Sequence, residues 1–268
     1  MTTIASWHAQ HGELTRLDRE VLLADVLARS RAWIIAHPET GIAADAECQL
    51  ESAAKRLKRG EPLAYIRGWR EFCGLRIDVN AAVLVPRPET ELLVEACLAL
   101  AQPGDSVLDL GTGSGAIAIS IACARPDLRI TATDISAAAL DVARTNAAHH
   151  AVTIEFMEGD WFTPFVDRRE PGFDIVVANP PYISESHPAL QTLLAEPKNA
   201  LISGPDGLNA IRRIVADASR HVRRALLIEH GYDQGPTVYS LMSNAGLIEV
   251  ETRTDYAGHP RFTLGRRA

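Results

Sequence analysis

Leu14, Leu17, Val21, Leu22 and Val26 stand at i, i+3, i+7, i+8 and i+12, the spacing that lines one face of a helix. His37-Pro38 interrupts the pattern, and a further helix is predicted over 43–59. Its end, Lys55-Arg56-Leu57-Lys58-Arg59-Gly60, puts basic side chains against the negative end of the helix dipole. Four helix-prone segments with short connections predict a small helical bundle over residues 1–68. Short alternating apolar stretches around Gly74 and Asn80 then predict a β-hairpin within 69–85, so that 69–87 forms a linker.

From Pro88 onward the period changes repeatedly. Helical patterns over 91–100, 116–124, 137–149, 206–222 and 234–245 are interleaved with strand patterns over 106–110, 130–133, 153–157, 173–178, 225–229, 248–254 and 261–264. Alternation of this kind implies crossover connections and a mostly parallel sheet covered on both faces. The last link, 255–260, is long enough for a hairpin but not for a crossover, so the last strand is expected to run antiparallel. The fold class predicted for 88–268 is therefore α/β: a seven-stranded, three-layer domain with one reversed strand.

Composition narrows the function classes. The chain of 268 residues is 47% hydrophobic and 23% charged, as in an ordinary globular protein. No apolar run reaches the roughly 18 residues that span a bilayer, and the polar start, 1–20, does not read as a signal peptide. Cys48, Cys73, Cys97 and Cys123 lack metal-site or disulfide spacing, so no metal and a reducing cytoplasm are expected. Net charge is −7, with about +1 on residues 1–70 and −8 on the remainder. A protein that grips a nucleic-acid backbone carries a basic surplus, and direct nucleic-acid binding is not expected.

Candidate chemistry sits at predicted strand ends, where α/β sheets bind ligands. Asp109-Leu110-Gly111-Thr112-Gly113-Ser114-Gly115 follows the strand over 106–110 and precedes a helix whose first N–H groups are free. Asp134, 19 residues beyond Gly115, ends the next strand and can accept bonds from both hydroxyls of a ribose. A nicotinamide or flavin nucleotide and S-adenosyl-L-methionine both fit these residues. D-x-G-x-G-x-G together with the reversed last strand resembles the seven-stranded methyltransferases and favours S-adenosyl-L-methionine, giving S-adenosyl-L-homocysteine as product. In that resemblance Trp161, after Gly159-Asp160, would lie against the adenine.

The next strand end reads Asn179-Pro180-Pro181-Tyr182, a stiff corner because each proline restricts itself and the residue before it. The string resembles the catalytic motif of methyltransferases acting on planar nitrogen, either adenine N6 or a glutamine amide. A carboxamide nitrogen is a poor nucleophile that no ordinary side chain deprotonates, so orientation must lower the barrier, by roughly 7–11 kcal/mol at best. The Asn179 side-chain oxygen and the Pro180 carbonyl can accept the two N–H bonds, while Tyr182 covers the planar group.

Beyond single motifs, the chain resembles the release factor glutamine N5-methyltransferases (HemK/PrmC type) over nearly its full length. The likeness rests on Leu17-Asp18-Arg19-Glu20, Glu61-Pro62-Leu63-Ala64-Tyr65, Val85-Pro86-Arg87-Pro88-Glu89-Thr90-Glu91, Glu196-Pro197 and Glu229-His230-Gly231, besides the two strand-end motifs. It implies donor binding by Gly111, Thr112, Gly113, Ser114, Gly115, Asp134, Trp161 and Asn179. It also implies that Asn179, Pro180, Pro181 and Tyr182 hold the glutamine of the Gly-Gly-Gln tripeptide in class 1 peptide chain release factors. Asn179, Pro180 and Tyr182 would be catalytic, the helical domain 1–68 would dock the substrate, and a monomer is expected. Two segments depart from the family: Gln191-Thr192-Leu193-Leu194-Ala195, and Val222-Arg223-Arg224 where a Pro-Gly-Gly turn is usual. The alternatives are a ribosomal-protein glutamine methyltransferase, a DNA adenine N6-methyltransferase and a non-catalytic scaffold. Against them stand, respectively, the Pro-Glu-Thr-Glu string after Arg87, the acidic charge, and the intact Asp109, Asp134 and Asn179.

Overall fold

The computed structural model describes residues 2–166 and 172–267. The chain divides into two compact units, 1–69 and 70–268.

Within the first unit the helices are α1 (Ile4–Gln10), α2 (Arg16–Val26), α3 (Arg31–Ala36), α4 (Ala44–Lys58) and α5 (Leu63–Arg67). That is five helices where the apolar pattern predicts four segments. The short α1 and α5, 7 and 5 residues long, span too few turns to show a period. Local chemistry starts them instead: Thr3 and Ser6 close a capping box on α1, and Pro62 precedes α5. Trp7, Leu22, Leu23, Ile34 and Leu50 from four helices share one apolar core.

The hairpin β1 (Trp69–Phe72) and β2 (Leu75–Asp78) turns through Cys73 and Gly74, both at positive φ as a tight hairpin turn requires. It is shorter than predicted, because the chain turns at Asn80, whose side-chain oxygen accepts the Ala82 N–H at 2.9 Å and whose carbonyl accepts the Val83 N–H at 3.1 Å. A short 3-10 turn, Pro88–Thr90, leads into α6 (Glu91–Leu100). There follow β3 (Ser106–Leu110), α7 (Ala116–Ala124), β4 (Arg129–Asp134), α8 (Ala137–His149), β5 (Glu155–Glu158) and β6 (Phe173–Ala178). The chain ends with α9 (Asn209–His221), β7 (Val222–Glu229), α10 (Gly235–Asn244), β8 (Ile248–Thr254) and β9 (Pro260–Arg266).

The sheet has seven strands in the order β5-β4-β3-β6-β7-β9-β8. β9 alone runs against its neighbours, inserted between β7 and β8. The fold class expected from the sequence is therefore observed, reversed last strand included. All of β3 is buried, as is β6 apart from Asp174, which is what helices on both faces demand of central parallel strands. One reading from sequence needs correction. Val222-Arg223-Arg224 is no turn but the start of β7. Arg223 pairs with Asp174 at 3.2 Å and Arg224 with Asp105, so opposite charges at the head of the strand take over a turn's role in fixing it.

Candidate active site

Register brings the functional strand ends into one row. Leu110 lies opposite Thr133 on one side and Ala178 on the other, and Ala178 lies opposite Ile228. The next residue of each strand or loop is Asp134, Gly111, Asn179 and Glu229, so these four stand side by side, about 4.8 Å per strand apart. Successive strands build outward from β3 in one direction through β4 and β5, and from β6 in the other through β7. The β3/β6 junction is thus the point where strand order reverses, the usual ligand crevice of an open α/β sheet. The rigid Asn-Pro-Pro-Tyr corner and the glycine loop share that edge.

Backbone bonds hold the glycine loop open. Gly111 and Thr112 both donate to the Thr133 carbonyl, at 2.8 and 2.9 Å, and Gly113 donates to Asp134 Oδ2 at 2.8 Å. Ser136 donates to Asp134 Oδ1 at 2.9 Å, which leaves a further lone pair on each carboxylate oxygen. Burial pushes the Asp134 carboxyl up from its ordinary pKa, while the Ser136 and Gly113 N–H groups pull back. Gly111 has φ +70, and a Cβ there would come within 3.1 Å of the Trp161 ring, so only glycine lets the indole lie over the loop. Trp161 itself takes φ +53, a left-handed conformation unusual for a large side chain. Gly111, Gly113, Asp134, Trp161, Asn179 and Pro181 face a cavity of about 110 Å³.

The remaining loop residues serve the scaffold. Thr112 is buried and donates to Asp109 Oδ2 at 2.6 Å. Asp109 is fully buried, and desolvation lifts its carboxyl to about 7 against the pull of that hydroxyl. The Ser114 carbonyl accepts Asn146 Nδ2 at 2.9 Å, and Gly115 is the N-cap of α7. Of the predicted donor set, then, Thr112, Ser114 and Gly115 do not line this cavity, whereas the others do.

On the other side of Asn179 lies a second cavity, of about 220 Å³, faced by Arg87, Asn179, Pro180, Tyr182, Leu193 and Leu201. Leu84, Asn179 and Ala200 line both cavities. Asn179 Nδ2 donates to Thr90 Oγ1 at 3.1 Å, and the Tyr182 hydroxyl donates to Glu229 Oε1 at 3.4 Å. Burial pushes the Tyr182 phenol well above its ordinary pKa, so it stays neutral. Glu229 is fully buried, and desolvation raises its carboxyl to about 7 although the Tyr182 hydroxyl hydrogen-bonds to it.

Three further contacts fix the corner. Gln234 Nε2 donates to the Tyr182 carbonyl at 3.0 Å and to the Asp206 carbonyl at 3.3 Å. Gly207, at φ +75, packs so close that a Cβ would lie 2.1 Å from the Tyr182 carbonyl oxygen. Glu196 accepts the Val85 N–H at 3.0 Å and pairs with Arg87, tying the Pro-Arg-Pro-Glu-Thr-Glu string to the loop after the corner. Roles for Thr90, Glu229, Gln234 and Glu196 do not emerge from the sequence. For Thr90, Glu229 and Glu196 the only signal there is membership in short strings that carry the resemblance, and Gln234 lies in none of them.

Comparison with known proteins agrees with this geometry. The Methyltransferase small domain family matches residues 72–226, and the PrmC N-terminal domain matches 8–68. A release factor glutamine methyltransferase of Xylella fastidiosa (strain Temecula1 / ATCC 700964) is 43% identical, over 98% of this chain and 97% of that one. The chain belongs to the release factor glutamine methyltransferase family. Another member, from Burkholderia pseudomallei (strain K96243), is 45% identical over 94% of this chain and 92% of its own. Among solved structures, a methyltransferase from Pyrococcus furiosus superposes with a TM-score of 0.55, 17% identity, 73% of this chain and 90% of that one. That likeness establishes the methyltransferase fold. Membership makes the chain a methyltransferase, and so an enzyme. Among the described residues no group of His, Cys, Asp and Glu could hold a metal ion, and no helix is long and apolar enough to cross a membrane.

Proposed function

We propose that the chain methylates the side-chain amide nitrogen, N5, of the glutamine in the Gly-Gly-Gln tripeptide of class 1 peptide chain release factors. S-adenosyl-L-methionine is the donor and S-adenosyl-L-homocysteine the product. One observation carries the reading: Asn179 lines both the cavity of the glycine loop and Asp134 and the cavity of Pro180 and Tyr182. A donor on one side and an acceptor on the other would meet at this side chain.

The residues present suit such a donor. Gly113 faces its cavity with no side chain, the lone pairs left on Asp134 suit a pair of ribose hydroxyls, and the Trp161 indole offers a flat face to an adenine. When bound, the donor supplies an electrophilic methyl carbon on a sulfonium centre. The chain's own part is placement. Asn179 Oδ1 and the Pro180 carbonyl accept the two N–H bonds of the substrate carboxamide, which draws electron density toward nitrogen and selects the face presented to the donor. Tyr182, held neutral by burial, closes over the planar group and excludes water. The amide proton leaves after methyl transfer, when the nitrogen is far more acidic, so no side chain has to act as a strong base.

On this reading residues 1–68 dock the release factor, 69–87 link the domains, and 88–268 carry the chemistry. The enzyme works in the cytoplasm as a monomer. Mass spectrometry of purified release factor after incubation with enzyme and donor tests the proposal. The expected result is one added methyl group on the Gly-Gly-Gln glutamine. A methyl group on any other residue, or on none, would rule it out.

A further inference from the structure

Among the residues facing the cavity of Pro180 and Tyr182, one is charged. Leu84, Ile183, Leu193 and Leu201 give this cavity an apolar wall, and Arg87 stands among them. A charge beside apolar surface is costly unless its hydrogen-bonding groups are paired, and here the pairing is partial. A guanidinium carries five N–H donors. Among the described residues the Arg87 side chain makes one hydrogen bond, from Nη2 to Glu196 Oε1, which leaves four N–H groups over. The side chain is 33% exposed, so those groups are open to an incoming acceptor.

Backbone and partner both hold Arg87 in place. Pro86 and Pro88 flank it, and a residue before proline is confined to extended backbone; Arg87 sits at φ −96 and ψ 143. The Glu196 side chain is 2% exposed and accepts from Arg87 with one carboxylate oxygen and from the Val85 N–H with the other, at 3.0 Å. Both oxygens are thus engaged by one short string, and the guanidinium is braced from behind. A planar fork fixed in this way, with donors to spare at an apolar cavity, suits a neutral oxygen acceptor.

The chemistry of a Gly-Gly-Gln segment says which oxygen that is. Glycines have no side chain, so the acceptors ahead of the glutamine are main-chain carbonyls, and a carbonyl left unpaired in an apolar cavity costs as much as a lost hydrogen bond. The carboxamide oxygen of the glutamine fits worse, because a cation bonded to it would draw electron density away from the nitrogen that must attack. We propose that Arg87 grips a main-chain carbonyl of the Gly-Gly pair, with Glu196 as its positioning residue, and so sets the register in which the glutamine reaches Asn179. The inference rests on the function proposed above and deepens it.

Arg87→Met removes the donors and keeps an unbranched side chain. KM for release factor should rise about 10- to 100-fold, the scale of a hydrogen bond from a charged group, with kcat within about threefold and donor affinity, read by calorimetry, within about twofold of wild type. A second readout separates contact from support. Short Gly-Gly-Gln peptides carrying an ester in place of the amide after the first or the second glycine present a weaker acceptor at that carbonyl. One of the two esters should lower kcat/KM about fivefold more in wild type than in Arg87→Met, whereas a residue that merely braces the loop would give equal penalties. Arg87→Met combined with Glu196→Gln leaves no buried charge unpaired, should show the same rise in KM, and stands in if the single variant fails to fold. The assignment is overturned by a wild-type KM, by a loss of donor affinity as large as the rise in KM, or by equal ester penalties at both positions. If the peptides turn over too slowly to compare, KM and donor affinity decide. Wild-type protein that methylates neither release factor nor peptide removes the functional reading itself, and this inference with it. An active wild type with any of the three contrary results removes the role of Arg87 alone.

Discussion

Asp134 and Asn179 stand one strand apart from Gly111 on either side, and their chemistry divides accordingly. Asp134 faces only the cavity of the glycine loop, so Asp134→Ala should weaken donor binding about 10- to 100-fold, the worth of hydrogen bonds to a charged group. Titration calorimetry with donor alone reads this, and an unchanged affinity would contradict the ribose assignment. Trp161 holds a left-handed backbone conformation at a cost of about 1–2 kcal/mol, a sign that the ring's position over Gly111 outweighs local strain. Residues of this kind were legible in the sequence because each sits in a compact string with its own chemical logic. Thr90, Glu229 and Gln234 were not, because they act across the chain. Thr90 meets Asn179 over 89 positions, Glu229 meets Tyr182 over 47, and Gln234 meets Tyr182 over 52, distances at which no local pattern survives.

Strands and loops carry the next layer. The loop that starts α9 is locked to the corner at Gly207, where a Cβ would strike the Tyr182 carbonyl and where φ is +75. Gly207→Ala should therefore destabilise the fold by about 2 kcal/mol or more and lower turnover as the corner shifts. Urea unfolding beside a methylation assay checks both, and wild-type stability would show that the loop yields without moving the corner. At the end of β7, Glu229 is raised to about 7 in the folded protein, above the usual carboxyl value. The folded state then holds this proton more tightly than the unfolded chain does. The stability it contributes is present below about pH 4.5, declines as pH rises, and is gone above about 7. Glu229→Gln should accordingly gain stability relative to wild type at pH 8 and show no gain at pH 4, measured by urea unfolding at both pH values. Equal shifts at the two would mean that Glu229 is ionised throughout. The element pattern itself was legible, since period changes marked every strand of the sheet. Its boundaries moved where side-chain pairing took over, as at Arg223 and Arg224, which turn a predicted loop into the first residues of β7.

At the scale of the whole molecule, the sequence predicted a helical unit before a seven-stranded domain. The insertion of β9 between β7 and β8 was beyond it, because strand order depends on which faces the crossovers cover. If residues 1–68 dock the release factor, intact release factor should exceed a short Gly-Gly-Gln peptide in kcat/KM by at least about 100-fold, a difference of roughly 3 kcal/mol. Steady-state assays with the two substrates decide this, and equal values would leave the helical unit without a docking role. The proposed chemistry rests on a carboxamide placed between donor and substrate so that orientation replaces a base. Single-turnover methyl transfer by Asn179→Ala, with donor and release factor both saturating, tests it most directly. The predicted rate is about 100-fold or more below wild type, the cost of misplacing a reacting group; a rate equal to wild type would contradict it.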